Sequence, residues 1–301
     1  MVRASLIVYL AVANAWGEAP SGPPRVVVVT SSAVPAYEEA LGGLRRGLGS
    51  LEAMTRVVEL DRKDGESTLA GILTQGRPSV AVAIGTQATD FMVSRTSVVP
   101  VISTMILYEP LPPERVVGRI SVEVTVPALL QQLKDLFPGK TRLGLIRSPG
   151  KAPPPSAVQL RAKQLGFTLV AVEAGGADKL LKTFLSLSGA VDFVWCAPDS
   201  SLYNTATFRP LIEASLQKRL PIIGYSEYFA RAGAALAVYP DFEDIGSQTA
   251  EAVRRFLDMQ KAPGDQPPRK LRVALNQYVS RMLELRWSTP SSRETELVII
   301  Q

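Results

Sequence analysis

Apolar residues in this chain fall into two successions of four short runs. Each run ends in small or polar residues and leads into a segment with helical spacing. In the first half the runs are Arg25–Thr30 (RVVVVT), Arg56–Leu60 (RVVEL), Val80–Ile84 (VAVAI) and Pro100–Ser103 (PVIS). In the second half they are Leu143–Ile146 (LGLI), Thr168–Val172 (TLVAV), Val191–Cys196 (VDFVWC) and Pro221–Gly224 (PIIG). The runs are short, β-branched and apolar at successive positions, which is the pattern of parallel strands covered on both faces.

The intervening segments read as helices. Pro35–Leu51 opens on a proline suited to a first turn. Ser67–Leu73, Pro153–Leu165 and Ala177–Leu187 follow, and in the last of these Leu180, Leu181, Phe184, Leu185 and Leu187 keep one face apolar. Strand and helix in alternation imply right-handed crossovers and an open, doubly wound α/β sheet. Two such lobes in tandem leave a cleft, a place to enclose a small ligand. In sheets of this kind ligands sit beyond the carboxyl ends of the strands. Attention therefore falls on the residues just after each run.

Length and composition change little. The chain has 301 residues, 46% of them hydrophobic, enough for two lobes with sizeable cores. Its 33 basic and 28 acidic residues are scattered. No basic stripe interleaved with aromatics appears, so no nucleic-acid partner is expected. The beginning of the chain is more telling. Met1-Val-Arg3 carries one positive charge, Ala4–Ala13 is apolar, and Ala13-Asn-Ala15 or Ala15-Trp-Gly17 offers small residues for cleavage. Residues 1–17 are expected to be a signal peptide, with a buried N-terminal strand as the alternative. No cysteine follows the apolar stretch, so a periplasmic protein without a lipid anchor is expected.

Residue counts narrow the chemistry further. Cys196 is the single cysteine and ends an apolar run, as a buried inert thiol would. Histidine is absent, which removes the usual general base near neutral pH and any His/Cys zinc site. There is no GxSxG, phosphate loop or GxGxxG, and no carboxylate cluster follows the strands. No catalytic residue, metal or cofactor is expected. Ser–Lys chemistry stays open.

The strand ends instead offer hydrogen-bonding groups. Gly85-Thr86-Gln87-Ala88 follows the third run, and Thr86 either caps the next helix or meets a ligand beside free backbone amides. Thr104-Met105 and then Tyr108 and Glu109 follow the fourth run. In the second half, Ala197-Pro198-Asp199-Ser200-Ser201 follows the Cys196 run. Asp199 or Ser200 caps a helix, or Asp199 receives a ligand ammonium. Tyr225-Ser226-Glu227 adds an aromatic face and a second carboxylate, the latter equally at home on a helix surface. The candidate ligand-binding set is Thr86, Gln87, Thr104, Tyr108, Asp199, Ser200, Tyr225 and Glu227.

Several stretches carry a family resemblance. They are Ile84-Gly85-Thr86-Gln87-Ala88, Leu220-Pro221-Ile222-Ile223-Gly224, Arg231-Ala232-Gly233-Ala234, Tyr239–Gly246, Leu275-Asn276-Gln277, and Val191-Asp192 leading to Pro198-Asp199. In order and spacing the chain resembles the ABC transporter substrate-binding family that includes tryptophan- and tyrosine-binding lipoproteins, over roughly Arg25–Trp287. The resemblance implies a type I periplasmic-binding fold: two Rossmann-like lobes joined by a multi-strand hinge, with the ligand between them. It also implies delivery of a small solute to a membrane permease. The chain departs from the family at Leu107-Tyr108-Glu109-Pro110, where Ser-Asp-Pro is common, and at Pro198-Asp199-Ser200, where Thr-Asp-Asn is common.

The expected division is lobe 1 at 25–120 plus 241–268, lobe 2 at 121–240 plus 269–287, and a C-terminal tail at 288–301. Leu297-Val-Ile-Ile300 reads either as a late edge strand or as disordered. The function expected is the monomeric solute-binding component of an ABC importer in the inner membrane. It would hold an amino-acid-like ligand by hinge closure, with no enzymatic activity. The alternatives are a ligand-sensing subunit for a membrane receptor, and a hydrolase or lyase using Asp199 and Glu227.

Overall fold

Val26–Thr30 (β1) shows why the first runs are strands. It is VVVVT and buried at every position. Val26 and Val28 pack with Ala40, Leu44 and Val253 on one side of the sheet. Val27 and Val29 pack with Leu69, Ala88 and Met92 on the other. A strand covered on both faces has no use for polar alternation. Each fully buried valine contributes about 1.5–3 kcal/mol relative to exposure. These contacts belong to a computed structural model that describes residues 25–107, 112, 114–289 and 295–301.

Elements are numbered in chain order. The chain divides into two units, one of residues up to Glu123 with Pro240–Lys270, the other of Val124–Tyr239 with Leu271–Gln301. In the first unit β1 is joined by β2 (Thr55–Glu59), β3 (Val80–Ile84), β4 (Val101–Ile106), β5 (Val116–Ser121) and β11 (Gly264–Gln266). Their order is β11-β5-β4-β3-β1-β2, with parallel pairing throughout. The helices are α1 (Pro35–Leu48), α2 (Gly65–Gly71), α3 (Thr86–Arg95) and α9 (Phe242–Met259).

The second unit contains β6 (Arg142–Arg147), β7 (Thr168–Glu173), β8 (Phe193–Trp195), β9 (Ile222–Gly224), β10 (Leu236–Pro240), β12 (Leu271–Asn276) and β13 (Thr295–Ile300). Their order is β13-β12-β10-β9-β8-β6-β7. Its helices are α4 (Val126–Leu136), α5 (Ser156–Gln164), α6 (Leu180–Ser186), α7 (Thr205–Lys218), α8 (Glu227–Arg231) and α10 (Gln277–Met282). Again both faces are covered. Leu143, Leu145, Phe193 and Trp195 pack with α4, while Ile146, Val194 and Cys196 pack with α6 and α7. Of the two readings open for the C-terminal run, the strand is what forms: β13 pairs in register with β12 from Leu271↔Thr295 to Asn276↔Ile300.

Helix ends differ from the sequence reading for local reasons. α1 stops at Leu48 because Gly49 turns at φ +58, and a 3-10 segment, Gly49–Met54, follows. α5 begins at Ser156, after Pro153, Pro154 and Pro155. A proline holds the residue before it out of the helical region, so the triplet stays extended. α1 and α9 meet through small residues. A Cβ on Gly43 would fall 2.0 Å from the Glu243 carbonyl oxygen, and one on Gly246 1.9 Å from that of Ala40. At the two ends of the Pro240–Lys270 part of the first unit, the Asp241 amide donates to the Lys270 carbonyl at 3.0 Å.

Candidate functional site

Both units contain the same five-strand order, β2-β1-β3-β4-β5 in one and β7-β6-β8-β9-β10 in the other. This is a doubly wound order whose direction of winding reverses between its first and third strands. The reversal lies at β1/β3 and at β6/β8. Loops leaving the carboxyl ends there turn opposite ways and leave a crevice in each unit.

In the first unit Ser31, just after β1, spans that crevice. Its Oγ donates to the Ile84 carbonyl at 3.1 Å and accepts from the Ala88 amide at 2.9 Å. Ser31 therefore satisfies one of the open amides of α3. Gly85 is the N-cap of that helix, at φ +91, and provides no side-chain cap. A Cβ at Gly85 would lie 2.6 Å from both Ser31 Oγ and the Tyr37 hydroxyl, so both its conformation and the space around it require glycine. The capping role considered for Thr86 is not realised. Thr86 is the first helical residue and is exposed, as is Gln87. Their amides have no hydrogen-bond partner among the described residues and lie at the positive end of the helix.

Thr104 is placed differently. It is 1% exposed, and its Oγ1 accepts from Thr249 Oγ1 at 3.0 Å. The hydroxyl is thus engaged inside the unit, joining β4 to α9. The Gly85 amide donates to the Thr104 carbonyl at 2.9 Å, which brings the ends of β3 and β4 together. Met105 then turns at φ +58, where the β4–β5 register shifts. Tyr108 lies outside the described residues.

In the second unit the counterpart of Ser31 is Ser148, just after β6 and buried. Its Oγ donates to Asp199 Oδ2 at 2.7 Å. Lys151 Nζ pairs with the same oxygen at 3.2 Å. Asp199 Oδ1 accepts from the Ser201 amide at 3.1 Å and from Ser201 Oγ at 2.5 Å. The carboxylate is only 8% exposed, while the Lys151 side chain is 58% exposed. Burial pushes the Asp199 pKa up, but the bonds from Ser201, Ser148 and Lys151 together outweigh it and hold the pKa below the usual carboxylate range.

Neither Asp199 nor Ser200 caps the helix that follows. The Leu202 and Tyr203 amides donate to the Asp199 carbonyl, closing a turn, and α7 starts later behind Asn204. Asn204 forms a capping box with Thr207. Ser200 is exposed. Tyr225 follows β9 and is half-buried, its ring 4.4 Å from that of Phe229. It forms one wall of a groove of about 640 Å³ in this unit, with Tyr203, Phe208, Tyr228 and Phe229. Glu227 is the first residue of α8 and is held by Arg231 Nε at 2.7 Å and by the Tyr239 hydroxyl at 3.0 Å. Burial, then Glu227, pushes the Tyr239 phenol well above its usual range. Cys196 is buried, and burial pushes its thiol up to about 12 against an opposing hydrogen bond from Tyr203.

The structure thus brings Thr86, Gln87 and the Thr104 backbone to one strand edge, and Asp199, Ser200, Tyr225 and Glu227 to another. It leaves Thr104 Oγ1 occupied and both carboxylates internally bonded. Sequence reasoning missed Ser31, Ser148 and Lys151. The available signal was positional, since each serine directly follows the first strand of its unit. Among the described residues no group of three or more His, Cys, Asp and Glu side chains is placed to hold a metal ion. No helix among them is long and apolar enough to cross a membrane.

Comparison with known proteins gives the following. Residues 25–277 match the family model of the ABC transporter substrate binding protein. Among curated proteins no significant match was found. A ligand-free, open substrate-binding protein with adhesive properties from Clostridium difficile is similar in structure, at TM-score 0.69 and 16% identity, over 93% of this chain and 100% of that one. A domain from Streptococcus pneumonia in complex with L-Trp gives TM-score 0.56 and 16% identity over 93% of this chain and 100% of that one. A periplasmic ribose ABC transporter protein from Conexibacter woesei gives TM-score 0.55 and 13% identity over 89% and 97%. At these identities the structural likeness establishes the type I periplasmic-binding fold.

Proposed function

The chain belongs to the ABC transporter substrate-binding proteins, and from that premise we propose that it captures a small solute outside the cytoplasm and presents it to a membrane permease. The solute is held between the carboxyl ends of the strands of the two units, and binding draws the units together. The observation that carries this reading is the matched pair of strand ends. Both units reverse their winding at equivalent strands, and each reversal is bridged by a serine at the same position, Ser31 and Ser148. The open amides of Thr86 and Gln87 supply donors on one side. Tyr225 supplies a ring face on the other.

Relatives of this fold bind ligands as different as L-Trp and, by its name, ribose, so the fold alone does not select a solute. The leader expected at residues 1–17 supports export. The test is a thermal-shift screen of the purified protein against amino acids, small peptides, sugars and organic acids. A ligand at 100 times its Kd stabilises by about 2.7 kcal/mol, which raises the midpoint by several degrees. A screen in which no small molecule moves the midpoint counts against the proposal.

A further inference from the structure

An amino-acid solute needs a partner for its ammonium, and Asp199 and Glu227 are the carboxylates that follow β8 and β9; Glu173, the last residue of β7, is paired with Arg147 at 3.1 Å. A carboxylate offers about four lone-pair positions. At Asp199 all of them are used: Ser201 contributes its amide and hydroxyl to Oδ1, and Ser148 and Lys151 contribute to Oδ2. The negative charge is neutralised by Lys151, and the group is 8% exposed. A ligand ammonium reaching Asp199 would have to displace a cation already in place. Glu227 is neutralised by Arg231 and also accepts from Tyr239. In the Lys151–Asp199 pair the positive charge is the accessible one, because the Lys151 side chain is 58% exposed and that of Asp199 8%.

We infer that Lys151 is a specificity-determining residue of the proposed site: by occupying Asp199 it excludes a solute ammonium and selects organic acids that lack one. The inference rests on the solute-binding reading above and narrows its ligand. It differs from the amino-acid-like solute expected from sequence, because that expectation required Asp199 to be open. Nothing in the local sequence shows that Ser148 and Lys151 close over it.

The test uses calorimetric titration of the parent and of Lys151→Gln with three matched pairs. These are L-tryptophan and indole-3-propionate, L-tyrosine and 4-hydroxyphenylpropionate, and L-leucine and 4-methylpentanoate. Lys151 is exposed, so the variant should keep its fold, and an unchanged melting midpoint verifies that. In the parent, the acid without the amino group should bind about tenfold or more tightly than its amino acid in at least one pair. In Lys151→Gln the bared Asp199 charge should shift that preference toward the amino acid by about tenfold or more. An amino acid that binds more tightly to the parent, or a preference that Lys151→Gln leaves unchanged, overturns the inference. Silence of all six acids on both proteins overturns it too. The solute-binding reading would then survive only on a ligand from the wider screen, so the two failures are told apart.

Discussion

Asp199→Asn tests whether the Ser148–Asp199–Lys151 cluster works as a staple across the crevice of the second unit. The substitution keeps the shape of the side chain but removes its charge and replaces one acceptor oxygen by a donor. Ser148 then loses a 2.7 Å bond to a carboxylate while remaining buried. A hydrogen bond to a charged group is worth about 1.5–3 kcal/mol, and an unsatisfied buried partner costs a similar amount. Loss of the exposed Lys151 pair adds only about 0–1 kcal/mol. The expected destabilisation is about 2–4 kcal/mol, against about 1–2 kcal/mol for Ser148→Ala. Because the two act through one bond, the double variant should fall short of the sum by about 1–2 kcal/mol. The assay is urea denaturation followed by tryptophan fluorescence, since buried Trp195 reports on this unit. The pH dependence has a definite sign. Folding depresses the Asp199 pKa, through bonds that outweigh its burial. Its contribution is therefore complete above the ordinary carboxylate range and disappears as the pH falls through the depressed value. The gap between parent and Asp199→Asn should close in acid. Additivity within about 0.5 kcal/mol, or a gap constant with pH, would refute the staple.

Other predictions follow from single positions. Gly85→Ala places a Cβ 2.6 Å from Ser31 Oγ and the Tyr37 hydroxyl at a φ of +91, so a loss of about 2–4 kcal/mol is expected in the same denaturation experiment. A loss under about 0.5 kcal/mol would show that the start of α3 is not so constrained. Gly246→Val should separate α1 from α9, because even a Cβ would sit 1.9 Å from the Ala40 carbonyl oxygen; a parent-like melting midpoint would contradict that packing. Cys196 should resist thiol reagents at neutral pH until the protein unfolds, since it is buried and its thiol is pushed up to about 12; fast labelling of the folded protein would mean that the end of β8 opens readily.

What could be read from sequence was what local pattern determines. VVVVT and VAVAI leave no doubt about buried parallel strands, because no polar residue interrupts either run before its end. The order of the runs in the two halves showed that one α/β plan occurs twice. The start of the helix after Val80–Ile84 was legible, because Gly85 stands between a buried run and a helical segment; that it lacks a side-chain cap was not, because Thr86 reads as one. The C-terminal run was ambiguous because six residues without helical length look alike as an edge strand or a tail; pairing with β12 decides it. The occupancy of Asp199 was hidden for a different reason. Two of its partners come from the loop after β6, and Ser148 is 51 residues away in sequence. A carboxylate after a strand reads the same whether it is bare or already paired. The engagement of the Thr104 hydroxyl was hidden for the same cause, since Thr249 reaches it from 145 residues away.

The central claim is that a small solute closes the two units upon one another. Small-angle scattering of the protein with and without a solute from the thermal-shift screen tests it most directly. The account predicts a smaller radius of gyration at saturating solute, with far-ultraviolet circular dichroism unchanged, because closure moves intact units. An unchanged radius of gyration at saturation would contradict it.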